Sequence, residues 1–364
     1  MKIENIETIR VSIPFDYGAK PSKSGRKTRL DFLLIKVDTD AGITGWGEAW
    51  GYNSIPATKA ALETQIAPLA IGRDARGIGE LTTAIQKAQH NNGRYGQTLF
   101  ALSGLDIALW DIAAKAAGVP LYALLGGTTL SHLPSYASLL PYGDADLVRD
   151  QCAAAVSDGY DYVKLHERST DAVYAARKGL GKKPKLMVDV NCPWDVMEAI
   201  EFAEAWEDAN LFWLEEPVWP PENFEGLSEV RLDSECAIAA GENASTVWEF
   251  AQLFEAEAVD WAQPSVTKVG GITEMLKIFA LAETKNVRVV PHSPYFGSGF
   301  LATLQIMAAK TDGQIPAERF YGKFEASLFG DLIDINADGM LRIPDVPGLG
   351  CDPDPDVIRA YRIE

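Results

Sequence analysis

Three acidic residues in this chain follow apolar runs at matched intervals: Asp189 in LMVDVN, Glu215 in LFWLEEP and Glu242 in AIAAGEN. Successive members lie 26 and 27 residues apart, close to the strand-helix-strand repeat of a β/α barrel. Each apolar run predicts a buried strand, so the three carboxylates stand at the C-terminal ends of consecutive strands and face one cavity. Carboxylates gathered in a low dielectric repel one another, and a cation between them removes that penalty. Oxygen-only donors suit a hard divalent ion, Mg²⁺ ahead of Mn²⁺ or Ca²⁺. One acid among 51 Asp and Glu would carry no weight, but three at equivalent strand ends read as the ligands of one metal.

The preceding run, YVKLHE, adds a cation and an imidazole. Side chains two apart on a strand share a face, so Lys164 and His166 point one way and Asp189 and Asn191 form another such pair. Val163, Leu165, Val188 and Val190 occupy the opposite, apolar side. A lysine within an apolar strand is costly unless it serves an anion, which makes Lys164 a candidate partner of a substrate carboxylate. The chain has four histidines, and two sit at strand ends: His166, and His292 between Pro291 and Ser293 ahead of the glycine-rich YFGSGF. Histidine is the side chain suited to moving protons near neutral pH.

Such residues need a scaffold that brings strand ends together. From about Leu133 the chain alternates short apolar strands with helical segments: LPSYASL, YVKLHE, LMVDVN, LFWLEEP, AIAAGEN, VDWAQPS, VRVVPHS and RFYGKFE. Regular alternation predicts parallel strands with right-handed crossovers, and closure into a barrel puts all eight C-terminal ends on one face. The first 50 residues read instead as an antiparallel sheet with a turn at Thr39-Asp40-Ala41-Gly42. Helical segments fill about 55 to 118 and stop at Gly118 and Pro120. The predicted organisation is a capping domain of α+β type over 1–125, a barrel over 126–330, and a segment over 331–364 that returns to the cap. Between the first two strands lies an aperiodic stretch carrying Lys20, Lys23, Arg26, Lys27 and Arg29, read either as a solvated loop or as a lid that draws an anionic substrate.

Composition narrows the function classes. A formal charge of -18 argues against nucleic acid or an anionic membrane as partner. Four scattered cysteines form neither a zinc motif nor a disulfide framework. MKIENIETIR lacks the apolar core of a secretion signal and no run reaches the length of a membrane span, so a cytoplasmic protein is expected. Two motifs are misleading. Asp334-Ile-Asn336-Ala-Asp338-Gly339 opens like a calcium loop, but position twelve is Asp345 and the flanks alternate like strands, so a hairpin is expected. Gly45-Trp-Gly47 completes no nucleotide-binding fingerprint.

The ordered set KxH, DVN, EEP, GEN and PHS, preceded by ALWDIAAKAAGVPLYALLGG, resembles the enolase superfamily and is nearest to its mandelate racemase subgroup, the mandelate racemase/muconate lactonizing enzyme family. That resemblance implies a modified (β/α)7β TIM barrel beneath an α+β cap, with Mg²⁺ on Asp189, Glu215 and Glu242. It implies removal of the proton α to a carboxylate through an enediolate. The implied catalytic set is Lys164, His166, His292 and Glu325, the last matched to an electrophilic glutamate at the end of the eighth strand. Asn191, Lys20 and Tyr52 would contact substrate, with Glu216, Ser265 and Lys268 behind them. Two positions depart from the pattern. His166 stands where a second lysine is usual, and Ser265 stands where an aspartate pairs with the seventh-strand histidine or, in another branch, a lysine acts as base. The expected reaction is dehydration of a hydroxy or sugar acid, with His166 as base and His292 as acid. Racemisation, epimerisation or cycloisomerisation of a small carboxylate is the alternative, and a metal-binding homologue without catalysis a third. A homo-oligomer, from dimer to octamer, is implied as well.

Overall fold

The computed structural model of the chain describes residues 1–18, 28–127 and 130–364. Strand Ile3–Asp16 pairs antiparallel with Arg29–Thr39, which pairs in turn with Thr44–Ala49. The predicted turn joins the last two: Gly42 has φ of 73° and its N–H donates to the Thr39 carbonyl at 3.0 Å. Helix Gln97–Ala117 lies on this sheet and buries Leu102, Leu105, Leu109 and Ile112 against Leu33, Ile35 and Val37. Gly47 permits the close approach, since a Cβ there would sit 1.9 Å from the Gly104 carbonyl oxygen. The helix ends at Gly118, whose φ of 70° is the left-handed cap expected from the sequence.

Eight parallel strands then run in chain order, joined by seven helices. They are His132–Ser138, Tyr162–Leu165, Lys185–Asp189, Leu211–Glu215, Ile238–Ala240, Trp261–Ala262, Arg288–Val289 and Ala317–Phe320. The eighth strand pairs with the first, and the sheet continues through to the seventh. The sheet curls on itself, because the Ser293 N–H just beyond strand seven donates to the Glu318 carboxylate of strand eight at 2.7 Å. Among the described residues no helix is long and apolar enough to cross a membrane.

Strand parity divides the barrel as the sequence predicts. Val163, Leu165, Val188 and Val190 join the large core beneath the outer helices. The barrel floor is a separate cluster of Tyr136, Met187, Trp213, Ala239, Trp261 and Val290. Two residues after Met187, Trp213 and Val290, on the same inward face, come Asp189, Glu215 and His292. A buried, largely aromatic floor thus supports the polar layer from below.

Helix starts show how the two domains are joined. Asp144, Ser169, Asp195 and Asn223 cap barrel helices from their own chain position, with Asp195 and Glu198 forming a reciprocal box. Helices Ile272–Lys285 and Ser298–Lys310 begin instead at Gly271 and Gly297, with no side-chain cap of their own. The capping domain supplies it. Asp106 accepts from Thr273 N at 3.0 Å, and Glu48 accepts from Gly299 N at 2.8 Å. A Cβ at Gly271 would lie 2.3 Å from Asp106 Oδ1, and one at Gly297 2.6 Å from Glu48 Oε2, so glycine makes room for each carboxylate.

One predicted strand is placed differently. RFYGKFE does not run as one barrel strand: Phe320 ends it, and Lys323–Phe324 crosses to the cap sheet to pair with Phe15 and Asp16. The C-terminal Arg362–Ile363 pairs with the same first strand. The calcium-like stretch is the expected hairpin turn, with Asn336 N donating to the Met340 carbonyl at 2.9 Å and Asn336 Oδ1 accepting from Asp338 N at 3.0 Å.

Candidate active site

Asp189 and Glu215 end strands three and four, and Glu242 lies two residues past strand five, where Gly241 at φ of 132° turns the chain. One carboxylate oxygen from each lies within 4.8 Å of the other two. Asp189 and Glu215 are at most 1 % exposed. Two buried carboxylates and a half-buried third, with all-oxygen donors, fit a hard divalent cation. Burial pushes the Glu215 carboxyl well above the usual carboxylate range despite the Lys164 ammonium beside it.

Lys164 lies at the centre, with no solvent exposure. Its Nζ is 2.7 Å from Glu215 Oε1, 3.2 Å from Glu318 Oε1 and 3.6 Å from Asp189 Oδ2. Burial disfavours its charge, but Glu215 and Glu318 outweigh that and hold the ammonium well above its ordinary value. The inward carboxylate of strand eight is therefore Glu318. Glu325, the residue matched from sequence, is exposed on the cap side, where it accepts from the Tyr361 hydroxyl at 2.8 Å. Its backbone N–H bonds Pro14, so Glu325 belongs to the cap sheet and stays out of the site.

The two histidines approach different ligands. His166 Nδ1 meets the Leu139 carbonyl at 2.5 Å and Nε2 lies 3.2 Å from Asp189 Oδ2. Burial opposes protonation of this ring, yet Asp189 overrides it and the pKa is raised. The Leu139 segment is itself fixed by Glu167, which accepts from Tyr142 N at 2.6 Å and Gly143 N at 2.9 Å. His292 Nε2 is 2.7 Å from Glu242 Oε2 and its Nδ1 is 3.2 Å from Ser265 Oγ. With His292 and Lys268 nearby, Glu242 ends well below the usual carboxylate range even though burial works the other way.

The remaining expected residues divide. Glu216 accepts from Asn243 Nδ2 at 2.6 Å and from Cys192 Sγ at 2.8 Å, tying down the turn that carries Glu242. Asn191, exposed and at φ of 50°, donates from both N and Nδ2 to Asp189 Oδ1 at 2.9 Å, so it orients a carboxylate. Lys268 Nζ lies 4.0 Å from Glu242 and 5.2 Å from the Trp50 ring. Tyr52 lies against Trp50 with ring centroids 4.3 Å apart and planes tilted by 59°, and burial together with Glu318 and Glu242 pushes its phenol pKa upward, so this cap segment faces the barrel carboxylates. Lys20, Lys23, Arg26 and Lys27 lie outside the described residues. Arg29 sits on a cap strand and donates from Nε to Ser12 Oγ at 3.0 Å. Sequence reasoning did not find Glu318, Trp50 or Tyr295. For Glu318 the available signal was the short apolar frame IPAERF ahead of the aromatic run.

Residues 8–126 match the family model for the mandelate racemase/muconate lactonizing enzyme N-terminal domain, and residues 147–357 match the enolase C-terminal domain-like model. The D-galactarolactone cycloisomerase of Agrobacterium fabrum is 31% identical over 386 residues, covering 100% of this chain and 99% of that protein. The arabinonate dehydratase of Saccharolobus solfataricus is 29% identical, covering 92% and 91%. A solved 3,6-anhydro-D-galactonate cycloisomerase from Zobellia galactanivorans superposes with a TM-score of 0.86 at 30% identity over 100% of both chains. A racemase from Streptomyces coelicolor solved with bound magnesium gives 0.86 at 27% identity over 99% of this chain and 100% of that one.

Proposed function

Because the chain belongs to the mandelate racemase/muconate lactonizing enzyme family of enolase-like proteins, we propose that it is an enzyme that removes the proton α to the carboxylate of a sugar acid and completes a dehydration. The single observation that carries this reading is the set of contacts made by His166. A carbonyl only accepts, so the bond to Leu139 keeps a proton on Nδ1. In the neutral ring the lone pair is then on Nε2, the nitrogen that faces the metal-ligand cluster, and that nitrogen would act as the base once a cation on Asp189 offsets the carboxylate's hold on its proton.

The other residues divide the remaining work. Asp189, Glu215 and Glu242 would hold Mg²⁺, which when bound supplies Lewis-acid polarisation of the substrate carboxylate. Lys164, kept charged by Glu215 and Glu318, offers a fixed cation to the same anionic end. His292, beside Glu242 where His166 is beside Asp189, would in its doubly protonated form give the Nε2 proton to the departing hydroxyl and be left as the neutral ring. Asn191 and Glu216 keep the ligands in place. Trp50 and Tyr52 would border the substrate from the cap side. Cycloisomerisation shares the first proton removal, and the Agrobacterium and Zobellia relatives keep it as the second reading.

The test is a panel of sugar acids incubated with enzyme and Mg²⁺ and followed for loss of starting material. Dehydration is expected to yield a 2-keto-3-deoxy product from at least one aldonate or aldarate. An isomeric product of unchanged mass would select the second reading, and no turnover across the panel would overturn the proposal. We propose further that the chain self-associates, with the rings of Trp219 and Trp248, 65% and 70% exposed, as apolar surface open to a second copy. A monomer by analytical ultracentrifugation would contradict it.

A further inference from the structure

The ring of His292 is held from behind by two hydroxyl groups. Ser265 lies three residues past strand six and Tyr295 three residues past the histidine; they are 0% and 4% exposed. His292 Nδ1 contacts Ser265 Oγ at 3.2 Å, Ser265 Oγ hydrogen-bonds the Tyr295 hydroxyl, and Tyr295 donates to the backbone carbonyl of His292 at 3.0 Å. The polarity of this ring of contacts follows from its last member. A carbonyl accepts only, so the single proton of Tyr295 goes there. Tyr295 must then accept from Ser265, and Ser265, its own proton committed, must accept from His292. Nδ1 is the donor.

We propose that Ser265 and Tyr295 form a closed hydroxyl relay that locks a proton on Nδ1 of His292 and confines its proton exchange to Nε2. They are positioning residues and act through the histidine. A carboxylate at position 265 could orient the ring equally well, but the site already packs Asp189, Glu215 and Glu318 around Lys164 and sets Glu242 against His292 itself. Two neutral hydroxyls orient the ring without adding to that repulsion. Trp50 braces the relay from the cap, with its ring centroid 5.6 Å from that of His292 and 5.7 Å from that of Tyr295.

The catalytic part rests on the reading of His292 as proton donor; the tautomer does not. The test is ¹⁵N–¹H long-range NMR of histidine-labelled, metal-free protein under alkaline conditions, with the His292 signals assigned by His292→Asn. The expected wild-type spectrum has a protonated Nδ1. Ser265→Ala and Tyr295→Phe should move that proton to Nε2, where Glu242 is the remaining acceptor, and Ser265→Thr should restore it. On a turned-over sugar acid, Ser265→Ala should lower kcat roughly 100-fold with little change in KM, and Ser265→Thr should recover most of it. An unprotonated Nδ1 in the wild type, or a proton that stays on Nδ1 in both Ser265→Ala and Tyr295→Phe, overturns the relay. Full kcat in Ser265→Ala overturns its role. If no sugar acid is turned over, the proposed function fails while the spectrum still decides the relay.

Discussion

If the proposed metal assignment holds, Lys164 and Glu242 make opposite contributions to cation binding, and this separates them experimentally. Glu242 is one of three anionic donors, so Glu242→Gln should weaken Mg²⁺ binding about tenfold or more in calorimetry and abolish turnover. Lys164 lies 2.7 Å from Glu215 and competes with a cation for the same charge. Lys164→Met should therefore bind Mg²⁺ more tightly than wild type and still lose turnover, because the substrate carboxylate loses its fixed partner. Equal affinities in all three proteins would remove the metal assignment. At this scale the sequence was informative wherever a residue's neighbours along one strand reveal its direction, which is why Lys164, His166, Asp189 and Glu215 were legible. Glu325 was not, because the choice between it and Glu318 depends on where the chain leaves the barrel for the cap.

Two helices borrow their N-terminal caps from another domain. Glu48 and Asp106 are buried at those helix starts, and desolvation raises their carboxyls to about 8 and about 7 in spite of the backbone N–H groups that favour the anion. The folded protein thus holds protons that the unfolded chain releases near the ordinary values of 4.5 and 3.8. Stability from these groups is present below the unfolded values and is lost as pH rises through the folded ones. Glu48→Gln keeps an acceptor for Gly299 and removes the titration. Its melting temperature should gain on wild type between about pH 4.5 and about pH 8, and a constant difference across that range would contradict the account. Neither cap could be read from the sequence, since partners 167 and 251 residues apart leave no periodic trace. The glycines at 271, 297 and 299 were visible, but only the packed structure shows that each makes space for a distant carboxylate. The barrel floor reveals itself more easily: Trp213 fills it and donates to Glu215 at 2.9 Å. Trp213→Ala should cost about 3–5 kcal/mol in chemical denaturation, and a change below 1 kcal/mol would show the floor to be loosely packed.

Across the whole molecule, the order of events along the chain explains why the architecture was legible and the site only partly so. Alternating strands and helices at a steady interval leave few topologies, and parity assigns the inner face. The relay of Ser265, His292 and Tyr295 instead spans two strand ends and a loop, and Trp50 and Tyr52 face the site from the other domain. The central claim is that this assembly removes the proton α to a sugar-acid carboxylate with His166 and expels the hydroxyl with His292. The direct measurement is ¹H NMR of a turned-over sugar acid in D₂O with Mg²⁺ and each histidine variant. His292→Asn should exchange the α-proton for deuterium while forming little product, and His166→Ala should do neither. Exchange that survives in His166→Ala and vanishes in His292→Asn would contradict the account.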